Sequence, residues 1–136
     1  MQIEGRLVHV ENMRMRWGEM DALGHMNNTV YFRYFEQARI SWFDALNVDY
    51  KEGSEGPILA SINCRFRIPV IYPADLVISV YAGKSRNSSF ALMNTITHEG
   101  EPSRVYATAE AVMVWISLSD GKSRPLPDWM KQHLQS

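Results

Sequence analysis

Cysteine is nearly absent. Cys64 stands alone among 136 residues, so no internal disulfide can form and no thiolate cluster can hold a metal. Long apolar runs are missing too. No segment approaches the roughly 20 apolar residues of a membrane span. The opening MQIEGRLVHVENM has no apolar stretch long enough for a signal peptide, so the expected location is cytoplasmic. Nor is there an excess of positive charge: the formal net charge is −1, with lysines and arginines scattered. Tracking nucleic-acid phosphates needs a basic stripe, so nucleic acid is not an expected partner. No internal repeat, low-complexity segment or linker interrupts the chain, and its length suits a single domain spanning 1–136.

What is present is an ordinary globular balance, 46% apolar and 21% charged, well away from disorder. From Ile58 to Ile68 apolar and polar residues alternate, with Ile58, Ala60, Ile62, Cys64, Phe66 and Ile68 on one side. This is the pattern of a half-buried strand ended by Pro69, and it places Cys64 as a small core residue. Leu76, Ile78 and Val80 mark a second strand and Phe90, Leu92, Asn94 and Ile96 a third, with a hairpin over Gly83–Ser89 between them. The longest strand is expected over Arg104–Ser117, where Ala107, Ala109 and Ala111 form a row that lets a helix approach closely. Met13, Met15 and Trp17 suggest a further strand near the N-terminus, and Leu126–Leu134 a short terminal helix.

One long helix is expected from about Thr29 to Leu46. Tyr31, Tyr34, Phe35, Ala38, Trp42, Ala45 and Leu46 make an apolar stripe at spacings of three and four. Phe32 and Phe43 widen the stripe beyond that of a surface helix, so the helix should be largely enclosed. Asn28, or Asn27 one step earlier, is the expected N-cap, because a short amide side chain accepts an orphan N–H there.

The stretch from Asp21 through Gly24-His25-Met26-Asn27-Asn28 to Tyr31, with Arg16-Trp17 before it and Phe35-Glu36-Gln37-Ala38-Arg39 after it, resembles the hotdog-fold thioesterases, specifically the 4-hydroxybenzoyl-CoA thioesterase branch. Weaker matches are SRNSSFAL near the third strand and PLPDWM near the end. The resemblance implies an α+β hotdog fold, an antiparallel sheet wrapped around one long central helix. Two protomers would join edge to edge, with active sites at the interface, in a homodimer or a dimer-of-dimers tetramer. It implies a thioester hydrolase acting on an acyl-CoA, with Asp21 as the catalytic carboxylate and the backbone N–H of Asn28 polarising the thioester carbonyl. Coenzyme A then belongs to the substrate, and no separate cofactor is expected.

The chemistry is consistent with this. Thioester hydrolysis needs a nucleophile or an activated water, and donors aimed at the oxygen that becomes negative. A helix N-terminus supplies free N–H groups and about half a positive charge. Without the resemblance, a lone Asp in a Gly-containing loop is more often a turn former. Whether Asp21 attacks carbon directly or deprotonates water stays open at this level. His25 could orient the loop, bond Asn27 or Asp21, or touch substrate, while Tyr31 is expected on the substrate side. Lys84 and Arg86 are candidates for the coenzyme A phosphates, with Ser89 near the pantetheine arm; a solvated basic turn is the competing reading. Glu36 stands between Arg33 and Arg39 at helical spacing, which favours a structural ion pair over a catalytic role. His9, His98 and His133 have no partners at ligand spacing, so no metal site is expected.

Two other classes compete. An acyl-carrier-protein thioesterase would keep the reaction and change the donor. A non-catalytic hotdog module would hold an acyl thioester without cleaving it, and the carboxylate at Asp21 argues for an enzyme instead. The hotdog dehydratases bring a helical histidine to the site, which the long helix here lacks.

Overall fold

The computed structural model describes residues 3–48 and 54–135. Among them the chain runs β1 (Arg6–Arg14), a 3₁₀ turn (Trp17–Glu19), α1 (Asn28–Ala45), β2 (Glu55–Phe66), β3 (Asp75–Ser85), β4 (Ser89–His98), β5 (Glu101–Ser117) and α2 (Asp128–Gln135). The strands form one antiparallel sheet in the order β1-β3-β4-β5-β2. This is the α+β arrangement expected, one sheet with a long central helix. No described helix is long and apolar enough to cross a membrane.

One face of the sheet is apolar because each strand alternates. Register sets the rows: Ile78, Ile96, Ala107 and Phe66 lie side by side, then Val80, Asn94, Ala109 and Cys64, then Ala82, Leu92, Ala111 and Ile62. Tyr31, Tyr34, Phe35, Ala38, Trp42 and Phe43 of α1 are buried in the same core cluster as the alanine row of β5. By backbone proximity α1 lies closest to β1 and β3. The buried stripe stops at Phe43, and Ala45 is exposed. Asn47 takes φ 59° just beyond the helix, a left-handed step that asparagine tolerates and that ends α-helices. α2 packs against β3, burying Met130 and Leu134 and setting Trp129 edge-on to Trp115.

Three expectations are corrected. The first strand is Arg6–Arg14. Met15 lies buried just past it, and Trp17 is exposed in the 3₁₀ turn, because the chain leaves the sheet to build the loop before α1. β2 does not keep one face throughout: its register against β5 shifts between Leu59 and Ser61. That bulge turns both Ile58 and Leu59 towards solvent, and the strand ends at Phe66 rather than Ile68. The hairpin is shorter than expected, since β3 continues through Lys84 and Ser85, and Arg86–Ser88 make the turn.

Candidate active site

The loop between β1 and α1 is a small hairpin of its own. Met20 and Met26 bridge across it, and its turn is Asp21-Ala22-Leu23-Gly24. The Asp21 N–H donates to the His25 carbonyl at 2.8 Å, and the Gly24 N–H returns to the Asp21 carbonyl at 3.0 Å. Asp is favoured at the first position of such a turn and Gly at the fourth. Gly24 has φ +78°, a region that side chains resist. One carboxylate oxygen of Asp21 accepts the Leu23 N–H at 2.9 Å. Among the described residues the second oxygen has no partner. Asp21 is therefore a turn former, as its loop context suggests, with half of its carboxylate left over for other work.

The same hairpin delivers the start of α1. Asn27, not Asn28, is the N-cap: its side-chain oxygen accepts the Thr29 N–H at 2.9 Å and the Thr29 hydroxyl at 2.7 Å. Its carbonyl accepts the Val30 N–H at 2.9 Å. Asn28 becomes the first helical residue, and among the described residues its N–H has no acceptor, as the geometry of a helix start requires. Asp21, His25, Met26, Asn28 and Tyr31 line one pocket of about 360 Å³, walled on the other side by the end of β2 and the residues after it.

Two anchors hold the hairpin. Met26 donates to the Val70 carbonyl at 2.8 Å, and His25 bridges to Ile71. On the other flank Glu19 accepts the Tyr34 hydroxyl from α1, and its carbonyl takes the Asn27 N–H at 2.9 Å. Burial pushes the Tyr34 phenol well above its ordinary range, and the bond to Glu19 adds to the rise. The imidazole of His25 bonds neither Asp21 nor Asn27 among the described residues; its backbone is what orders the turn.

Tyr31 is buried against Phe66, with ring centroids 4.9 Å apart and planes near perpendicular. Burial raises its phenol, a backbone hydrogen bond with Val70 works the other way, and repulsion from Cys64, Tyr106 and Asp21 adds to the rise. Cys64 is half-buried rather than fully enclosed, and burial pushes its thiol up to about 11. Such a thiol is a poor nucleophile at neutral pH.

Lys84, Arg86 and Ser89 do come together, in a second cleft on the sheet that shares no residue with the first. The Arg86 N–H donates to the Ser89 carbonyl at 2.7 Å, closing the turn. The expected ion pair at Glu36 is absent among the described residues. Glu36 is exposed, whereas Arg39 is buried with one guanidinium nitrogen unpaired. Burial lowers the Arg39 pKa, and the Glu36 charge offsets this only from a distance. No cluster of three metal-ligating side chains forms among the described residues.

Sequence reasoning missed Glu19 and the β2 end. Glu19 carried a readable sign, since it lies three residues after Arg16, whose N–H its carboxylate accepts at 2.7 Å, a spacing typical of helix starts. Phe66, Arg67 and Ile68 line the pocket from a strand far away in sequence, which no local pattern indicates.

Residues 15–134 match the thioesterase-like superfamily. The chain belongs to that superfamily. This superfamily member is 35% identical over 121 residues to the uncharacterized protein YsmA of Bacillus subtilis (strain 168), a match covering 88% of this chain and 80% of YsmA. The PA2801 protein of Pseudomonas aeruginosa, named as a candidate thioesterase, superimposes with a TM-score of 0.87 at 35% identity, covering 93% of this chain and 98% of PA2801. Slr0204 of Synechocystis, a 1,4-dihydroxy-2-naphthoyl-CoA thioesterase, matches with a TM-score of 0.81 at 16% identity, covering 93% and 94% of the two chains. At that identity the likeness speaks for the fold, which is the hotdog fold of the thioesterases. Membership and neighbours together support thioester hydrolysis as the general class of activity.

Proposed function

We propose that this protein is an acyl-CoA thioesterase of the 4-hydroxybenzoyl-CoA thioesterase branch, releasing a carboxylic acid and free coenzyme A. The observation that carries the reading is the meeting of the unpartnered Asp21 carboxylate oxygen and the N-terminal residue of α1 in one pocket. In one route Asp21 takes a proton from water as the water oxygen attacks the thioester carbon. In the other, the carboxylate attacks carbon itself and water then hydrolyses the mixed anhydride. Both routes build negative charge on the former carbonyl oxygen. The Asn28 N–H and the helix field stabilise that charge, and collapse expels the coenzyme A sulfur as thiolate, which then takes up a proton.

The reading includes a two-chain site. β2 is an edge strand, yet Ile58, Leu59 and Phe66 are 43%, 41% and 48% exposed; an apolar edge of this kind calls for pairing with another strand. A second copy pairing antiparallel along β2 sets its own Glu55 end beside Phe66 of the first. Its β5 and then β4 follow, so the partner's Ser89 end of β4 stands three strand spacings away, about 14 Å. This is how Lys84 and Arg86, remote from Asp21 within one chain, can serve the same substrate: the phosphates lie on the partner's hairpin while the thioester lies at Asp21.

The test is hydrolysis across a panel of acyl-CoAs with detection of free thiol. Release of thiol from at least one of them is expected. Saturable binding of acyl-CoA with no thiol released would overturn the enzyme reading in favour of a binding module, and release from carrier-protein thioesters alone would move the donor away from coenzyme A.

A further inference from the structure

The alternation of β5 breaks at one point, where Tyr106 and Ala107 are consecutive and both buried. Register explains the break. Ala107 pairs with Ile96 and Val105 with Thr97, so Tyr106 is an extra residue with no opposite number on β4. On the other side, the paired register with β2 ends at Ala107 and Phe66. Tyr106 is therefore the bulged residue of β5, and bulges re-aim the backbone and side chains around them. Its carbonyl accepts the Arg67 N–H at 2.8 Å and the Ile68 N–H at 3.2 Å. Both acceptances hold residues that wall the Asp21 pocket.

With no register partner on β4, Tyr106 is tied to that strand by its side chain instead. Its hydroxyl lies 3.0 Å from Nδ1 of His98, the last residue of β4. A phenol both donates and accepts, so the bond forms with either tautomer of the imidazole. The two rings meet edge to face with centroids 6.2 Å apart. From the exposed side, the Arg104 guanidinium sits 5.6 Å from the centre of the Tyr106 ring, within reach of a cation–π attraction. Tyr106 is also close enough to Tyr31, which lines the pocket, to raise its phenol.

We propose that His98 and Tyr106 are a positioning pair: the imidazole holds the phenol, and the bulge fixed in this way sets Arg67 and Ile68 opposite Asp21. Neither side chain of the pair lines the pocket, so it acts on the chemistry only through the wall. A wall displaced by a fraction of an ångström misplaces the thioester carbon relative to Asp21, and such errors are costly in turnover. The coenzyme A phosphates are held elsewhere and should not feel the shift. The inference rests on the thioesterase reading above for what the pocket does, but the pinning of the wall stands without it.

The experiment uses the full chain and compares Tyr106→Phe, His98→Ala, the double variant and His98→Asn, whose amide reaches the position of Nδ1. Steady-state thiol release is read from an acyl-CoA that the native protein hydrolyses, and amide hydrogen exchange at Arg67 and Ile68 is read by NMR. In Tyr106→Phe and His98→Ala alike, kcat should fall about tenfold while KM stays within about a factor of two. The Arg67 and Ile68 amides should exchange about tenfold faster, the scale of one lost hydrogen bond, with amides in the middle of β5 unchanged. The double variant should lose no more than either single one, because the pair works as a unit. His98→Asn should recover most of both quantities. Native kcat in a folded Tyr106→Phe protein, native exchange at Arg67 and Ile68, or additive losses in the double variant each overturn the assignment. If Tyr106→Phe fails to fold, His98→Ala and His98→Asn carry the same test from the half-buried side of the bond. A native protein that releases no thiol from any acyl-CoA sinks the thioesterase reading instead, and the exchange rates then decide the pair by themselves.

Discussion

Tyr34 donates its hydroxyl to the carboxylate of Glu19, joining the middle of α1 to the loop that carries Asp21. The bond lies away from the pocket wall, yet it fixes how the small hairpin meets the helix start, because the Glu19 carbonyl also takes the Asn27 N–H. Tyr34→Phe removes the hydroxyl and leaves a half-buried carboxylate short of a donor. A bond to a charged group is worth about 2 kcal/mol, so the melting temperature should fall by on the order of 5–10 °C. Thiol release should drop roughly tenfold, since small misplacements of catalytic groups are costly. A melting curve that matches the native one would dismiss this anchor.

Much of the fold was legible because the strands alternate cleanly and α1 has a wide apolar stripe. The helix was placed within a residue at each end by its aromatics and by the Asn27-Asn28 pair. The β2 register was not legible, because a bulge at Leu59–Ser61 leaves no mark in a sequence that goes on alternating. Arg39 was misjudged for a related reason. Helical spacing put it beside Glu36, while tertiary packing buried it and left Glu36 in solvent. The half of the site on the Asp21-to-Tyr31 motif is contiguous in sequence and could be found there. The half on Phe66–Ile68 arrives only through β2 pairing with β5.

The exposed apolar edge of β2 makes the oligomeric state a direct test. Light scattering at micromolar concentration should give at least twice the 15.6 kDa mass of the chain. Leu59→Lys places a charge on that edge without touching the Asp21 pocket, a device natural sheets use to keep edges apart. It should shift the protein towards monomer and cut thiol release with it, because the hairpin of one chain then no longer serves the pocket of the other. A native protein that scatters as a monomer rules out the two-chain site.

Lys84→Ala combined with Arg86→Ala should raise KM for acyl-CoA by about tenfold or more and leave kcat within a factor of a few. Phosphates far from the thioester are held alike in ground and transition states, and losing such uniform binding is felt in KM. Raising the salt should mimic the double variant, since exposed charge pairs are screened within about 10 Å at 0.1 M ionic strength. An unchanged KM would return the hairpin to solvent.

Asp21 has two jobs, and substitution can separate them. Asp21→Asn keeps an oxygen for the Leu23 N–H, so the turn survives and the melting temperature should hardly move. It removes the negative charge and nearly all basicity, so kcat should fall by at least about 10²-fold, the scale expected for a positioned acid–base group. Asp21→Ala loses the turn bond as well and should cost about 1 kcal/mol of stability besides the same loss of turnover. If the carboxylate were only a turn former, the alanine variant would still lose that stability, but the asparagine variant would turn over substrate like the native protein. A folded Asp21→Asn protein with native kcat therefore removes Asp21 from the chemistry, whatever becomes of the rest of the pocket.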